Sequence, residues 1–237
     1  MKISAIQYQS VAGDIDANIA RHLKFVELAR AEGAGLVFFP ELSLTGYEPQ
    51  LAEQLATTVE DPRLEVFQQR SDAGNMVIGV GLPLAVEGGV QIGMVWFAPH
   101  EPRRTYAKQQ LHADELPFFV PGTSQLLLKA GGVSLAPAVC FESLQPDHAA
   151  TAADLGASVY LASVAKPARG LARAVLHYPE IARKHGMQVI MANGLGRSDN
   201  FIGVGQSAAW NHRGELLAQM DDASEGIVIL DTERGEE

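Results

Sequence analysis

Short apolar runs and amphipathic segments alternate along the first part of the chain. Residues 2–8 form an apolar run, and residues 36–39 form a second one, as expected of a strand that is covered on both faces. Between them, Ile19, Leu23 and Val26 repeat at helical spacing, after possible helix caps at residues 14–18. The pattern therefore predicts a strand, a helix and a second strand.

The middle of the chain reads as consecutive strands instead. Residues 76–86 and 90–97 flank a Gly-rich turn, which predicts a hairpin, and residues 103–107 continue as a strand. Alternation then returns, with strands predicted over 133–139, 158–162, 189–193, 206–210 and 226–231 and helices over 147–155 and 169–185. Pro179 lies inside the last helical segment and predicts a kink or the start of a new helix there.

This order of elements indicates a layered α/β domain with hairpins rather than a simple doubly wound sheet. The sequence shows no linker or low-complexity segment, so we predict one domain over residues 1–237. A chain of this length, 47% apolar and 19% charged, has the composition of a globular protein with a substantial core. Its net charge of −10 and the lack of a basic stripe argue against binding to nucleic acid.

Cysteine and histidine usage limits the chemistry further. One cysteine excludes an intramolecular disulfide, and seven scattered histidines predict neither a zinc site nor any other metal or cofactor. No apolar run approaches the ~20 residues of a membrane span, and the first residues turn polar too soon for a signal peptide. We therefore expect a cytoplasmic protein with no membrane partner.

The single cysteine, Cys140, occupies a suggestive position. It follows the apolar run 133–139 and precedes a polar turn and a helix-like segment that begins near Pro146. A strand that ends in this way places the thiol at the carboxyl edge of a sheet, where helix amino ends favour negative charge. Considered alone, however, an isolated cysteine is more often a buried structural thiol.

Two other residues, Glu41 and Lys108, also close strand-like runs and open loops. Either could be a turn cap or a solvated loop charge. Together with Cys140 they make chemical sense, because a thiol that attacks a carbonyl or nitrile carbon needs a base, an oxyanion donor and an acid for the leaving nitrogen. A carboxylate alone would raise the pKa of the thiol, whereas a nearby ammonium favours the thiolate.

Around these residues the chain resembles the nitrilase superfamily, the carbon–nitrogen hydrolases with a Glu–Lys–Cys triad. The matching segments read FFPELSLTGY at 38–47, YAKQQLH at 106–112 and VCFE at 139–142. Asn18, Pro121-Gly122 and Ala192-Asn193 agree as well, and the resemblance covers essentially the whole chain.

The resemblance implies a four-layer α-β-β-α sandwich, which usually dimerises across the helical face near the cysteine. It also implies that Glu41 is the general base, Lys108 the oxyanion stabiliser and Cys140 the nucleophile. The backbone amide of Phe141 would complete the oxyanion hole. Homodimers or higher homo-oligomers are therefore expected.

Further candidates follow from the same resemblance. Glu115 stands seven residues before Gly122, where many members carry a second glutamate, and is the candidate for substrate positioning or proton transfer; a solvated loop acid is the alternative. Tyr47 and Glu142 are assigned to the oxyanion and substrate side, with Glu142 bracing the loop after the nucleophile. Lys166 could line the pocket, although a solvated loop lysine is the commoner case.

Two departures from the family pattern are visible. Members that hydrolyse carbamoyl amino acids usually have an arginine four residues after the cysteine, and here Leu144 stands there, which disfavours a carboxylate-bearing carbamoyl substrate. Pro137 lies inside the strand before Cys140, where it removes a hydrogen-bond donor from the sheet.

The predicted function is hydrolysis of a small amide through a thioester on Cys140. A nitrilase acting on a nitrile uses the same triad and stays open. A glutaminase-type subunit that feeds ammonia to a separate synthetase chain also stays open, because residues 40–49 are similar to the amidase part of glutamine-dependent NAD synthetases. An acyl-transferring relative and a partner-binding protein without activity are weaker alternatives.

Overall fold

Two six-stranded β-sheets form the centre of the structure, a computed structural model that describes residues 1–233. The first sheet contains β1 Lys2–Gln7, β2 Ala34–Phe38, β3 Val77–Val86, β4 Gly89–Phe97, β5 Arg104–Ala107 and β14 Gly226–Asp231. The second sheet contains β6 Leu128–Ala130, β7 Val133–Val139, β8 Val159–Val164, β9 Gln188–Asn193, β12 Ala208–Trp210 and β13 Leu216–Gln219. A separate hairpin consists of β10 Leu195–Arg197 and β11 Ile202–Val204.

Each sheet has a parallel centre and antiparallel edges. The strand order is β14-β1-β2-β3-β4-β5 in the first sheet and β13-β12-β9-β8-β7-β6 in the second. Strands β1, β2 and β3 run parallel, as do β7, β8 and β9, and the other pairs are antiparallel. The carboxyl ends of the parallel strands gather at one edge of each sheet, which is where α/β folds place their chemistry.

Helices cover the outer face of each sheet. They are α1 Ile15–Ala31, α2 Ala52–Leu55, α3 Glu65–Gly74, α4 Pro146–Asp154 and α5 Ala168–His185. Val26 of α1 and Phe67 of α3 pack with Val37 of β2 on the first sheet, while Tyr178 of α5 packs with Tyr160 of β8 on the second. The predicted four-layer α-β-β-α sandwich is therefore confirmed.

The inner faces of the two sheets pack against each other. Leu36 and Phe38 of β2 face the layer between the sheets, where they meet Leu135 and Leu161, whereas Val37 faces the helices. This division follows from the alternation of side chains along a strand. It explains why β2 reads as a continuous apolar run, since both of its faces are buried.

Helix α1 begins earlier than the apolar pattern alone indicated. The Asp14 side chain accepts a hydrogen bond from Ala17 N at 3.0 Å, so the helix starts at Ile15. Its inner face includes the buried polar residues Asn18 and His22, which interrupt the apolar repeat. These polar residues therefore concealed the first turn in the sequence pattern.

Helix α5 continues through Pro179, so no new helix begins at this residue. Proline removes one helical hydrogen bond. The buried face of α5, which includes Leu171, Ala174 and Ile181, supplies the packing that offsets this loss. Four short strands, β6, β10, β11 and β13, were not predicted, because three or four residues carry too little periodicity to be recognised.

Pro137 fits into β7 without breaking the sheet. Its register partner in β8 is Leu161, while β6 pairs only with residues 133–135 on the opposite side. The Pro137 carbonyl accepts a hydrogen bond from Gln125 Nε2 at 2.9 Å. The N–H and C=O of one strand residue point to the same side of the strand. The N–H that proline lacks would therefore point to the side of β7 where the pairing with β6 has ended at residue 135. The strand geometry before Cys140 is thus compatible with proline.

Candidate active site

The three predicted triad residues meet where the carboxyl-end edges of the two sheets face each other. Glu41 follows β2 by three residues, Lys108 follows β5 directly and Cys140 follows β7 directly. Ser163 at the end of β8 donates a hydrogen bond to Phe39 O at 2.8 Å and so ties the second sheet to the segment before Glu41. The site residues thus lie just beyond the strand ends, where the two sheets face each other.

A tight turn fixes Glu41. Ser43 Oγ accepts a hydrogen bond from Gly81 N at 3.2 Å and contacts His22 Nε2 at 3.0 Å. A Cβ atom at position 81 would lie 2.7 Å from both Leu42 N and Pro40 O, so only glycine allows β3 to approach this turn. The Glu41 side chain is consequently set by packing on two sides.

Lys108 is the centre of a buried charged cluster, which we define as Glu41, Lys108 and Glu115. Its Nζ atom donates to Glu41 Oε1 at 2.7 Å and to Glu115 Oε1 at 2.6 Å. The Lys108 side chain has no exposed surface. Although burial alone would lower the pKa of this amine, the two carboxylates and the thiolate form of Cys140 raise it well above its usual value. Lys108 therefore stays an ammonium.

Backbone hydrogen bonds hold Lys108 in place. Lys108 N donates to Ile92 O at 2.9 Å, and Gly122 N donates to Lys108 O at 2.7 Å. A Cβ atom at position 122 would lie 2.3 Å from Ala107 O, which explains why the chain carries glycine there. The Pro-Gly pair of the sequence motif therefore closes the loop back onto the lysine.

Glu115 is not the solvated loop acid that the sequence left open, since it is 2% exposed. Besides Lys108, its Oε1 atom accepts a hydrogen bond from Tyr47 OH at 3.0 Å, and its Oε2 atom accepts one from His112 N at 2.7 Å. Burial and the neighbouring carboxylates raise the pKa of Tyr47, so its hydroxyl stays protonated. Glu115 and Tyr47 thus fix Lys108 from the side opposite Glu41.

Glu41 has a free acceptor. Its Oε2 atom is buried and has no hydrogen-bond partner within residues 1–233. Burial raises the pKa of Glu41 to about 6, against the opposing pull of the Lys108 ammonium. A carboxylate with such a pKa accepts a proton more readily than an ordinary glutamate does.

Cys140 lies at a sharp turn. Its φ angle of 45° is in the left-handed region, which is uncommon for residues other than glycine, and its N–H donates to Ser163 O at 3.0 Å. Burial and the Glu41 charge raise the pKa of the thiol to about 11, while the ammonium groups of Lys166 and Lys108 act in the opposite direction. The resting thiol is therefore protonated at neutral pH and needs a base.

A cavity of about 250 Å³ opens onto the thiol. Its lining includes Tyr47, Glu115, Cys140, Phe141 and Leu144. The N–H of Phe141 forms no hydrogen bond with any residue that the structure describes. An unused amide beside the thiol is the arrangement expected of an oxyanion donor. Leu144 lies at the cavity wall where carbamoyl-amino-acid hydrolases would have an arginine.

Glu142 lies behind Cys140 and does not line this cavity. Its Oε1 atom accepts from Val139 N at 2.7 Å and from Tyr106 OH at 2.6 Å, and its Oε2 atom accepts from Gln109 N at 2.6 Å. His148 Nε2 lies 2.8 Å from the Tyr106 hydroxyl. Glu142 thus links the end of β7 to the residue after Lys108, which is a bracing position.

Lys166 lines the cavity, which is the alternative to the solvated loop lysine that the sequence favoured. It follows β8 but is 3% exposed, not solvated. Its Nζ atom lies 3.7 Å from Cys140 Sγ and donates to Cys140 O at 3.3 Å. The available signal was its place after the strand next to β7. Nothing in the sequence showed that the side chain turns back toward the thiol.

Within residues 1–233, no group of three or more His, Cys, Asp or Glu side chains could hold a metal ion. The same part of the chain contains no helix that is both long and apolar enough to cross a membrane.

A buried carboxylate, ammonium and thiol at converging strand ends are the groups that a hydrolase acting through a cysteine nucleophile needs. The sequence profile described as "Carbon-nitrogen hydrolase" matches residues 2–236. The chain therefore belongs to the carbon–nitrogen hydrolase family, and the predicted resemblance to the nitrilase superfamily is confirmed.

Similar proteins include both synthetases and amidases. The chain is 26% identical over 243 residues to the glutamine-dependent NAD(+) synthetase of Rhodobacter capsulatus, covering 99% of this chain but 44% of that protein. It thus spans less than half the length of this relative. A structure of the amidase from Nesterenkonia sp. AN1, with acrylamide added at its active-site cysteine, superposes with a TM-score of 0.88 at 24% identity over 98% and 92% of the two chains.

A second structure of that amidase, in complex with butyramide, superposes with a TM-score of 0.88 at 24% identity over 98% and 90% of the chains. At this level of identity the likeness establishes the fold.

Proposed function

We propose that this protein is an amidase that hydrolyses small amides through a thioester on Cys140. The Cys140 thiol gives its proton to Glu41, and the sulfur attacks the amide carbon. The carbonyl oxygen becomes an oxyanion, which the Lys108 ammonium and the Phe141 N–H stabilise. The C–N bond then breaks, the nitrogen takes the proton from Glu41, and ammonia or an amine leaves.

The second half of the reaction reuses the same groups. Glu41 takes a proton from a water molecule, whose oxygen attacks the thioester carbon. The C–S bond breaks, the sulfur recovers the proton from Glu41, and a carboxylic acid leaves. Glu115 and Tyr47 act by holding Lys108, and Glu142 acts by bracing the turn after Cys140.

One observation carries this proposal: Lys108 is fixed by two carboxylates, while the Glu41 oxygen that Lys108 does not use has no partner within residues 1–233 and the Glu41 charge acts on the Cys140 thiol. Both members of the Glu41–Lys108 ion pair are buried from bulk water. The free Glu41 oxygen can accept the thiol proton. The cavity of about 250 Å³ is small, which favours small acyl groups. The amidase with a similar fold supports the same chemistry.

A screen of ammonia release tests the proposal. Primary amides of increasing acyl length are offered to the wild-type protein and to Cys140→Ala, each beside the matched nitrile. We expect ammonia from one or more small amides with the wild-type protein only. Equal turnover by Cys140→Ala would refute the proposal. Activity on nitriles without activity on amides would identify a nitrilase instead.

A glutaminase role is the second candidate, because the Rhodobacter capsulatus relative is named as glutamine-dependent and aligns along 99% of this chain. In that role the protein would release ammonia from glutamine for a synthetase. Including glutamine in the screen, with and without a purified NAD synthetase lacking its own amidase part, separates the two cases. Stimulation of glutamine hydrolysis by the synthetase would favour the glutaminase role.

We further propose that residues 1–237 act as one domain in the cytoplasm and assemble as a homodimer or larger homo-oligomer. The first and last strands, β1 and β14, pair in one sheet and share an apolar cluster, which supports a single folding unit. Leu155, just after α4, and Leu176 of α5 are exposed. They lie on the helical face through which a dimer would form. Light scattering of the purified protein tests the assembly.

A further inference from the structure

Lys166 is a buried cation with an unusual set of neighbours. Its hydrogen bonds go to the Cys140 carbonyl oxygen and Sγ atom, and no ion pair within residues 1–233 joins it to a carboxylate. Lys108, in contrast, is shared between two carboxylates. A buried ammonium without an anion is costly. The sulfur of Cys140 is the adjacent atom that can supply the negative charge.

Hydrogen bonds to the backbone around Lys166 fix the direction in which this side chain leaves the chain. Lys166 N donates to Asn193 Oδ1 at 2.8 Å, and Asn193 Nδ2 donates to Gly205 O at 2.7 Å. Pro167 follows and leads into α5. Gly170 of that helix lies against the Lys166 side chain, since a Cβ atom added at position 170 would be 3.5 Å from the Lys166 Cβ. The ammonium is therefore directed at Cys140 by its own backbone and not by a surface side-chain contact.

We propose that Lys166 is a second ammonium of the active site, which pairs with the Cys140 thiolate once Glu41 has taken the thiol proton. The proposal rests on the assignment of Cys140 as the nucleophile. It divides the work between two lysines, since Lys108 is then left to stabilise the oxyanion while Lys166 stabilises the sulfur anion. No proton passes through Lys166 in this scheme.

The electrostatics around the thiol support this division. Lys166 and Lys108 lower the pKa of Cys140, with the larger effect from Lys166, while Glu41 and Glu115 raise it. The hydroxyls of Tyr47 and Tyr178 also feel the Cys140 charge, but burial raises both of their pKa values, so they remain neutral.

His177 of α5 faces Lys166. Burial lowers its pKa below the ordinary value, so it is neutral in assays above pH 7.

Alkylation of Cys140 by iodoacetamide, measured from pH 7 to 11, tests the role of Lys166 without any amide turnover. The variants are Lys166→Met, Lys166→Gln and Lys166→Arg, with Lys184→Met as a control that removes an exposed lysine from the last turn of α5. Gln keeps a donor for the Cys140 carbonyl but has no charge. Circular dichroism establishes that each variant is folded, and Gln carries the test if Met does not fold.

We expect the Met and Gln variants to react more slowly than the wild-type protein throughout pH 7 to 11, since loss of a cation at this distance raises the pKa of the thiol by about one to three pH units. A rise of that size lowers the thiolate fraction, and the greater nucleophilicity of a more basic thiolate offsets only part of this loss, so the alkylation rate at fixed pH should fall about 3- to 60-fold. Arg and the Lys184 control should follow the wild-type profile. A Gln variant with the wild-type profile would overturn the proposal and reduce Lys166 to a brace for the turn.

This result is separable from the amidase proposal. Alkylation consumes no amide, so a shifted profile can be found in a protein that hydrolyses none of the amides tested. Conversely, amide hydrolysis can be established while the profiles of all Lys166 variants coincide.

Discussion

Two buried carboxylate networks lie on either side of the turn that carries Cys140, and they differ in how completely their oxygens are used. In the charged cluster, Glu41 has one oxygen on Lys108 and one without any partner in residues 1–233. A second group, which we call the bracing network, consists of Glu142, Tyr106, Gln109 and His148. In it, both Glu142 carboxylate oxygens accept hydrogen bonds from nearby donors. Burial raises the pKa of both carboxyl groups.

The difference shows how similar residues serve different purposes. A satisfied network rigidifies what it joins, and here it joins the end of β7 to the residue after Lys108. An unsatisfied buried oxygen is costly and is rare in folded proteins unless it has a task. The same Glu→Gln change should therefore affect activity in one cluster and stability in the other.

Glu41→Gln should have the largest effect on activity. Removing the base that accepts the thiol proton lowers kcat by about 10²- to 10⁴-fold, the range for general acid–base catalysis. Lys108 keeps its hydrogen bond to Glu115, so the fold should survive. Ammonia release and a thermal melt on the same preparation measure both effects. Retention of activity with loss of stability would reverse the roles of the two networks.

The pH dependence of Glu41 sharpens this prediction. The pKa of Glu41 in the folded protein is about 6, above the ordinary value of 4.5. The protonated side chain therefore adds fully to the free energy of unfolding below about pH 4.5, and this contribution is lost as the pH rises through about 6. Glu41→Gln should therefore gain in melting temperature relative to wild type between those pH values. Wild-type activity should fall as pH drops below about 6, because a protonated Glu41 cannot accept the thiol proton. A difference in melting temperature that is constant over this range would contradict the assignment.

Lys108→Met should rank second in activity. Loss of one oxyanion donor lowers kcat by about 10²- to 10³-fold. Two buried carboxylates also lose their cation, which costs about 3 to 5 kcal/mol of unfolding free energy. Adding Glu115→Gln to this variant should recover part of the stability and none of the activity. Denaturant unfolding and kcat measurements separate the two losses, and recovery of activity in the double variant would argue against Lys108 as the oxyanion donor.

Glu142→Gln should have the smallest effect on chemistry and a clear effect on stability. The amide nitrogen replaces an acceptor that faces N–H donors, so one or two buried donors lose their partner at a cost of about 1 to 3 kcal/mol each. Activity should fall by less than in either variant above, since Glu142 does not line the cavity. Urea unfolding tests the first statement and kcat tests the second. A stability equal to wild type would show that the network is not a brace.

Much of the fold and site could be predicted from the sequence. The fully apolar run that becomes β2 and the Gly-rich turn between β3 and β4 have local causes, so their patterns were informative. Glu41 was recognisable because a charge that follows a buried strand needs a partner, and Lys108 because the three residues together make chemical sense. The resemblance to carbon–nitrogen hydrolases added Glu115, which the structure brings into contact with Lys108.

The remaining features depend on contacts between distant segments. Pro179 could not be placed within a continuous helix, because the burial of α5 against the second sheet offsets the lost hydrogen bond. Lys166 was taken for a solvated loop lysine, since nothing local shows that its ammonium turns toward the thiol. The compatibility of Pro137 with β7 depends on where β6 ends, which is a matter of sheet register.

The proposed hydrolysis requires a covalent acyl intermediate on Cys140. The most direct test mixes the protein with an amide that it hydrolyses, quenches the reaction in acid within milliseconds to seconds, and measures the intact mass. We expect an added mass equal to the acyl group, located by peptide mapping on Cys140, and its absence in Cys140→Ala. Turnover of the amide by Cys140→Ala, or an acyl group mapped to another residue, would contradict it.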